Sequence, residues 1–226
     1  FDESFPLSNI LNEALNQTRA MEAGLPVPKI HQVAKYEGYW AIYQDFIEGK
    51  TLSSLMKEAK SDEEKAELLE RFLSIQLNIF DHQAPLLNDL RAKMNRQISE
   101  SEYNATVRYE LHSRLSTMPK HKKICHGDLI PANIIITDED EAYIIDWSHA
   151  TSGNASADAA LTYMLFMLQG EEQIAETYLK LFCEKTDTAR QYVNAWMPIV
   201  ACAQSTKKKE EEKAFLDRWV NVMEFQ

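Results

Sequence analysis

The apolar positions of this chain change period several times, and each change marks a different element. Ile10, Leu11, Ala14, Leu15, Thr18 and Met21 recur every three or four residues, after the start signals Pro6 and Ser8 and before Gly24 and Pro26, which predicts a helix. Lys29 to Ala34 and Trp40 to Ile47 are rich in β-branched and aromatic residues and flank Glu37 and Gly38, which predicts two short strands around a turn. From Thr51 onward the spacing is helical, clearest in Leu68, Leu69, Phe72, Leu73, Gln76, Ile79 and Phe80, and a second long helical stretch is expected over Leu86 to Leu115. Three short strands interrupt this texture at Lys123 to Cys125, Ile134 to Thr137 and Tyr143 to Ile145. The last two are separated by an acidic turn, Asp138 to Glu141. Beyond Asn154 the helical period returns in three stripes: Ile174, Tyr178, Leu181 and Phe182; Trp196, Ile199, Val200 and Ala203; and Leu216, Trp219, Val220 and Met223. The run Lys207 to Lys213 reads as a solvated helix start or loop. The aromatic residues of the later stripes, Trp196 and Trp219, read as core in preference to a cage for an amine.

Composition narrows the field. The 226 residues carry 24 Lys and Arg against 35 Asp and Glu, a formal charge of −11, with 45% hydrophobic residues. That balance builds a packed core. The acid excess argues against nucleic acid or an anionic membrane surface as the partner, because either would demand a basic face. No apolar run approaches the roughly 20 residues of a membrane span. Three scattered cysteines without a C-x-x-C pair point to neither a disulfide frame nor a zinc site, and to a cytoplasmic protein. The six glycines form no G-x-G-x-x-G and no P-loop.

The chemistry gathers on the β island. Asp128 follows His126 and Gly127, Asn133 lies five residues on, and Asp146 closes the next hairpin. Pairing of the two strands would bring Asn133 and Asp146 side by side. Phosphoryl transfer needs such a set: a carboxylate to orient a hydroxyl and accept its proton, and an amide with a second carboxylate to hold Mg²⁺. The spacing H-x-D-L-x-x-x-N is that of the protein-kinase catalytic loop, with Asp146 in place of the D-F-G aspartate. Gly127 stands where protein kinases place arginine, Trp147-Ser148 replaces Phe-Gly, and no A-P-E follows. Eleven residues between Asp146 and Asp158 are too few for a peptide-binding activation segment. A polypeptide substrate is therefore not expected. Asp128 and Asn133 alone would also suit a capped turn, and Asp158 a helix cap.

With these residues the chain resembles the aminoglycoside phosphotransferase and choline kinase-like family of small-molecule kinases, through His126-Gly127-Asp128-x4-Asn133, Ile145-Asp146-Trp147 and Asp158. The resemblance extends to Asn12-Glu13-Ala14 as the family's αC helix, Gly24 to Pro28 as the turn after it, and Tyr43 to Gly49 as the hinge. It implies an α+β, protein-kinase-like bilobal fold with a truncated N-terminal lobe (residues 1–48) and a mainly helical C-terminal lobe (residues 49–226). It implies Asp128 as catalytic base, Asn133 and Asp146 as Mg²⁺ ligands, Asp158 as a brace for the catalytic loop and His126 as a loop-fixing residue. Glu13 would be the αC glutamate, Gln44 the gatekeeper, and the backbone groups of Asp45 and Ile47 would meet adenine. The implied activity is ATP- and Mg²⁺-dependent phosphorylation of a hydroxyl on a small molecule, and the acidity of the chain tilts the acceptor toward a cation. The family's phosphate-covering loop and strand lysine have no match ahead of Glu13. A nucleotide-binding pseudokinase is the competing expectation, and a metal-dependent hydrolase that cleaves ATP without an acceptor is a third.

Overall fold

A computed structural model describes residues 1–2 and 4–220. Helix α1 (Leu7–Glu22) is followed by the antiparallel strands β1 (Ile30–Tyr36) and β2 (Tyr39–Gln44). Glu37 and Gly38 join these strands with positive φ angles of 50° and 92°, the conformation that matches the twist of a tight hairpin. The second strand ends at Gln44 and not at Ile47. There Asp45 turns back on β1, its carboxylate meeting His31 Nε2 at 2.6 Å and its N–H donating to the Lys29 carbonyl.

The buried face of α1 is not the stripe of large apolar residues. Ile10, Ala14 and Ala20 are buried together with Asn16 and Gln17, whereas Leu11, Leu15 and Met21 are exposed. The two buried amides explain the rotation, since each has a backbone acceptor only on the inner side. Asn16 Nδ2 donates to the Trp147 carbonyl at 3.1 Å, and Gln17 Nε2 donates to the Pro28 carbonyl and to Gln44 Oε1 at 2.7 Å each.

After the two-residue strand β3 (Lys50–Thr51), the helices α2 (Leu52–Glu58) and α3 (Asp62–Phe80) begin the helical part. The long helix expected over Leu86 to Leu115 is two helices, α4 (Leu90–Glu100) and α5 (Ala105–Thr117). Both starts are set by Asx caps: Asp89 Oδ1 accepts the Ala92 N–H at 2.7 Å and Asn104 Oδ1 accepts that of Val107 at 3.0 Å. The β island follows as β4 (Lys123–Cys125), β5 (Ile134–Ile136), β6 (Ala142–Ile144) and β7 (Thr151–Gly153). Strands β3, β5 and β6 form one antiparallel sheet, and β4 pairs with β7. Gly49 lets the chain enter β3, because a Cβ there would sit 2.3 Å from the Ile136 carbonyl oxygen.

The chain closes with α6 (Ala155–Leu168), α7 (Glu172–Thr186), α8 (Arg190–Asn194), α9 (Met197–Ser205) and α10 (Glu210–Val220). Met223, assigned to the last apolar stripe, lies outside the described residues. The core packs Phe72 of α3 edge-on against Phe166 of α6 and Tyr178 of α7. A buried polar chain runs through it: Tyr178 donates to Gln76, Gln76 to Thr162, and Thr162 to the Leu129 carbonyl. Three helices thereby grip the loop after β4 through satisfied buried hydrogen bonds. Trp196 is part of the core, and Trp219 packs half-buried against Tyr163 and Phe215. No helix among the described residues is long and apolar enough to cross a membrane.

Candidate active site

The loop after β4 turns sharply at Gly127, whose φ of +80° L side chains rarely adopt. Asp158, in the first turn of α6, fixes that turn from below. Its Oδ1 accepts the Gly127 N–H at 2.8 Å and its Oδ2 the His126 N–H at 3.2 Å. Burial pushes the Asp158 carboxyl up, while His126 and the two amides pull it back down. His126 is fully buried, lies against the Trp147 ring and bonds the Ile145 carbonyl through Nε2 at 3.0 Å. That bond requires the proton on Nε2, and burial lowers the ring's pKa.

From this turn the chain passes Asp128 and reaches a 3-10 turn at Pro131–Asn133. Asn133 Nδ2 donates to the Asp128 carbonyl at 2.9 Å, and the Asn133 carbonyl accepts the Ile145 N–H at 3.0 Å. The hairpin thus brings Asp128, Asn133 and Asp146 into one patch. Asp146 adopts a left-handed conformation, φ 62° and ψ 65°, tolerated by aspartate better than by most residues. One of its oxygens accepts the Ser148 hydroxyl at 2.7 Å. Asn133 retains its amide oxygen and Asp146 its second carboxylate oxygen, hard donors of the kind that suit Mg²⁺.

Helix α1 leans on the same turn. Asn12 Nδ2 donates to the Ser148 carbonyl at 3.2 Å, one residue from Glu13. The Glu13 carboxyl is raised to about 6, first by burial and then by the negative charge of Asp146. Glu13, Gly127, Asp146 and Asp158 all line one cleft of about 1110 Å³, whose other walls come from α4 and the end of α9. Gln44, Asp45 and Ile47 stand apart from this cleft. Gln44 is linked to α1 through Gln17, and among the described residues the Asp45 carbonyl and the Ile47 N–H make no hydrogen bond.

Four residues with no role in the sequence reading also face the cleft. Lys207, from the run expected to be solvated, forms an ion pair at 3.7 Å with Asp128, and both side chains are partly shielded from solvent. The reason is topological: the turn after α9 folds over the loop after β4, and nothing in the local sequence announces that approach. Lys93 Nζ donates to the His149 carbonyl at 2.9 Å and is brought down to about 8 by burial and by Lys207. Arg96 lies one turn further along α4. His149 is lowered to about 4 by burial and by the charges of Lys93 and Lys207. Among the described residues no three His, Cys, Asp or Glu side chains converge as a metal cage.

The fold has counterparts among solved structures. Aminoglycoside phosphotransferase APH(4)-Ia in a ternary complex with AMP-PNP and hygromycin B superimposes with a TM-score of 0.68 at 15% identity, over 93% of this chain and 81% of that one. Choline kinase LicA from Streptococcus pneumoniae gives 0.63 at 18% identity, over 96% and 82%. Aminoglycoside-3'-phosphotransferase of type VIII gives 0.63 at 17% identity, over 87% and 80%. These similarities show a shared kinase-like α+β fold. No curated protein matches the chain by sequence. Residues 8–192 match the phosphotransferase enzyme family (APH). That match spans most of the sequence and includes every residue of the patch around Asp128, so the chain belongs to the phosphotransferase enzyme family.

Proposed function

We propose that this protein transfers the γ-phosphate of ATP, with Mg²⁺, to a hydroxyl of a small molecule. The observation that carries the reading is the double tie of Asn133, to the Asp128 carbonyl through its side chain and to Ile145 through its backbone. It gathers two carboxylates and an amide on one rigid turn, as phosphoryl transfer to an alcohol requires. Support comes from the family match and from the neighbouring folds, one held with AMP-PNP and hygromycin B and another a choline kinase.

In this reading Asp128 aligns the acceptor hydroxyl and takes up its proton as the oxygen bonds to the γ-phosphorus and the bond from that phosphorus to the bridging oxygen breaks, releasing ADP. Asn133 and Asp146 would hold Mg²⁺, which when bound neutralises charge on the phosphates. Asp158 keeps the loop in place through the His126 and Gly127 amides, and His126 fixes the carbonyl before Asp146. Glu13 acts as the αC glutamate and Gln44 as the gatekeeper. The Asp45 carbonyl and Ile47 N–H offer an acceptor and a donor to adenine. Residues 1–48 belong to the N-terminal lobe, residues 49–226 to the C-terminal lobe, and residues 44–50 are the hinge.

The test is ADP release from Mg·ATP in the presence and absence of candidate alcohols. Release that depends on an acceptor, and disappears in Asp128→Asn, supports the proposal. Release that ignores the acceptor would identify a hydrolase, and nucleotide binding without turnover a pseudokinase.

A further inference from the structure

We infer that the acceptor carries an anionic group, a carboxylate or a phosphate, beside the hydroxyl it presents, and that Arg96, Lys93 and Lys207 receive it. The inference rests on the phosphotransfer reading above and narrows its acceptor.

The carboxylates that line the cleft are already engaged. Asp89 caps α4 on the Ala92 N–H, Asp158 holds two loop amides, and Asp146 accepts the Ser148 hydroxyl. Glu13 faces Asp146 and belongs to the nucleotide side of the proposed site. The cations are far less engaged. Arg96 is exposed to the cleft and makes no hydrogen bond or ion pair among the described residues. Lys93, one turn before it, gives one bond to the His149 carbonyl. Lys207 comes from a different element and reaches Asp128 only at 3.7 Å, longer than a hydrogen bond.

Three positive side chains from two elements therefore converge beside the carboxylate that would align the hydroxyl. At Lys93 burial comes first in disfavouring the charged form, and the repulsion of Lys207 and Arg96 adds to it against the opposing pull of Asp158 and Asp128. A ligand anion relieves that repulsion, and an amine adds to it. The chain's charge of −11 does not contradict this. Much of the acid excess stands on outer segments, in the first turns of α3 and α10 and in the turn Asp138 to Glu141, away from the cleft. The expectation of a cationic acceptor came from that overall charge, and the charges at the site point the other way. The same cations could instead meet the nucleotide phosphates, so the experiment keeps that site filled.

Binding is measured by calorimetry on the protein saturated with Mg·AMP-PNP, using four ligands on one carbon skeleton: gluconate, sorbitol 6-phosphate, sorbitol and glucamine. At least one of the two anions is expected to bind about tenfold or more tightly than sorbitol, with glucamine no tighter than sorbitol. Arg96→Glu, on an exposed helix face, should abolish that preference, and Lys207→Gln should reduce it. Preference for glucamine, absence of binding by both anions, or anion binding unchanged in Arg96→Glu would overturn the inference. So would variants that weaken AMP-PNP and leave the anions untouched. ADP release on replacing AMP-PNP by ATP reads the parent proposal separately. Anion preference without acceptor-dependent release refutes phosphotransfer while sustaining the anion site, and release with amines alone does the reverse.

Discussion

Gly127 stands so close to His149 that a Cβ on the glycine would lie 2.5 Å from the histidine's carbonyl oxygen. The same carbonyl accepts the Lys93 ammonium, so the turn before Asp128 and the segment after Asp146 touch backbone to backbone. This contact accounts for glycine where protein kinases carry arginine. Gly127→Ala combines a left-handed backbone with a clash against main chain, and a loss of about 2–4 kcal/mol in stability is expected. Thermal unfolding measures it, and an unchanged melting temperature would refute the packing argument.

Asp128 and Asp146 are partly buried at the mouth of loops and contribute little to the core. Asp128→Asn and Asp146→Asn should each lower kcat by about a thousandfold, within the range for lost base or charge-stabilising groups. Asparagine also tolerates the left-handed angles of position 146. Both variants should melt close to the parent, and full turnover in either would defeat the assignment.

Asp158→Asn replaces one of two accepting oxygens with a donor that faces a backbone N–H. One buried amide is left unmet, at a cost of about 1–3 kcal/mol. Since Asp158 acts through the loop and not on the substrate, kcat should fall while KM for ATP stays near its parent value. A fall in stability with kinetics unchanged would restrict Asp158 to a structural role.

His149 should make the fold acid-sensitive. Its pKa is lowered from 6.5 to about 4 on folding, so between these values the unfolded chain binds a proton that the folded chain refuses. The stability from keeping it neutral is present above pH 6.5 and is lost as pH falls toward 4. Denaturation midpoints measured across that window should decline less steeply in His149→Gln.

Glu13 has the opposite sign. Its pKa rises from 4.5 to about 6 on folding, so the protonated side chain favours the folded state below pH 4.5, and that contribution is lost as pH rises through 6. Glu13→Gln should therefore raise the melting temperature at pH 7 and leave it little changed at pH 4. Equal effects at both values would show that ionisation of this half-buried carboxyl is not the cause.

The candidate site was readable where chemistry lies close in sequence. Asp128, Asn133 and Asp146 sit on one hairpin whose strands and turn are visible in Ile134 to Ile144, and Asp158 follows within one short segment. The cations were not readable, because Lys93 and Arg96 reach the site from α4 and Lys207 from the turn after α9, and no local pattern specifies how these segments dock. Lys207 stands among six other charged residues and has nothing to mark it as different. The broken helix between Leu86 and Leu115 was legible in principle, through the caps Asp89 and Asn104, but the apolar period runs through the break. On α1 the large apolar residues misled, since buried Asn16 and Gln17 decide which face turns inward.

Those inward amides tie two parts of the molecule into one moving body. Asn12 and Asn16 hold the carbonyls of Ser148 and Trp147 from successive turns of α1, while Gln17 reaches Gln44 at the end of β2. Tilting the helix would strand a buried amide at roughly 1–3 kcal/mol before Glu13 could leave the side of Asp146. A helix that acts as a switch must hold two positions nearly equal in energy. In the proposed phosphotransferase, hydrogen bonds on two successive turns make α1 a fixed beam and not a lever.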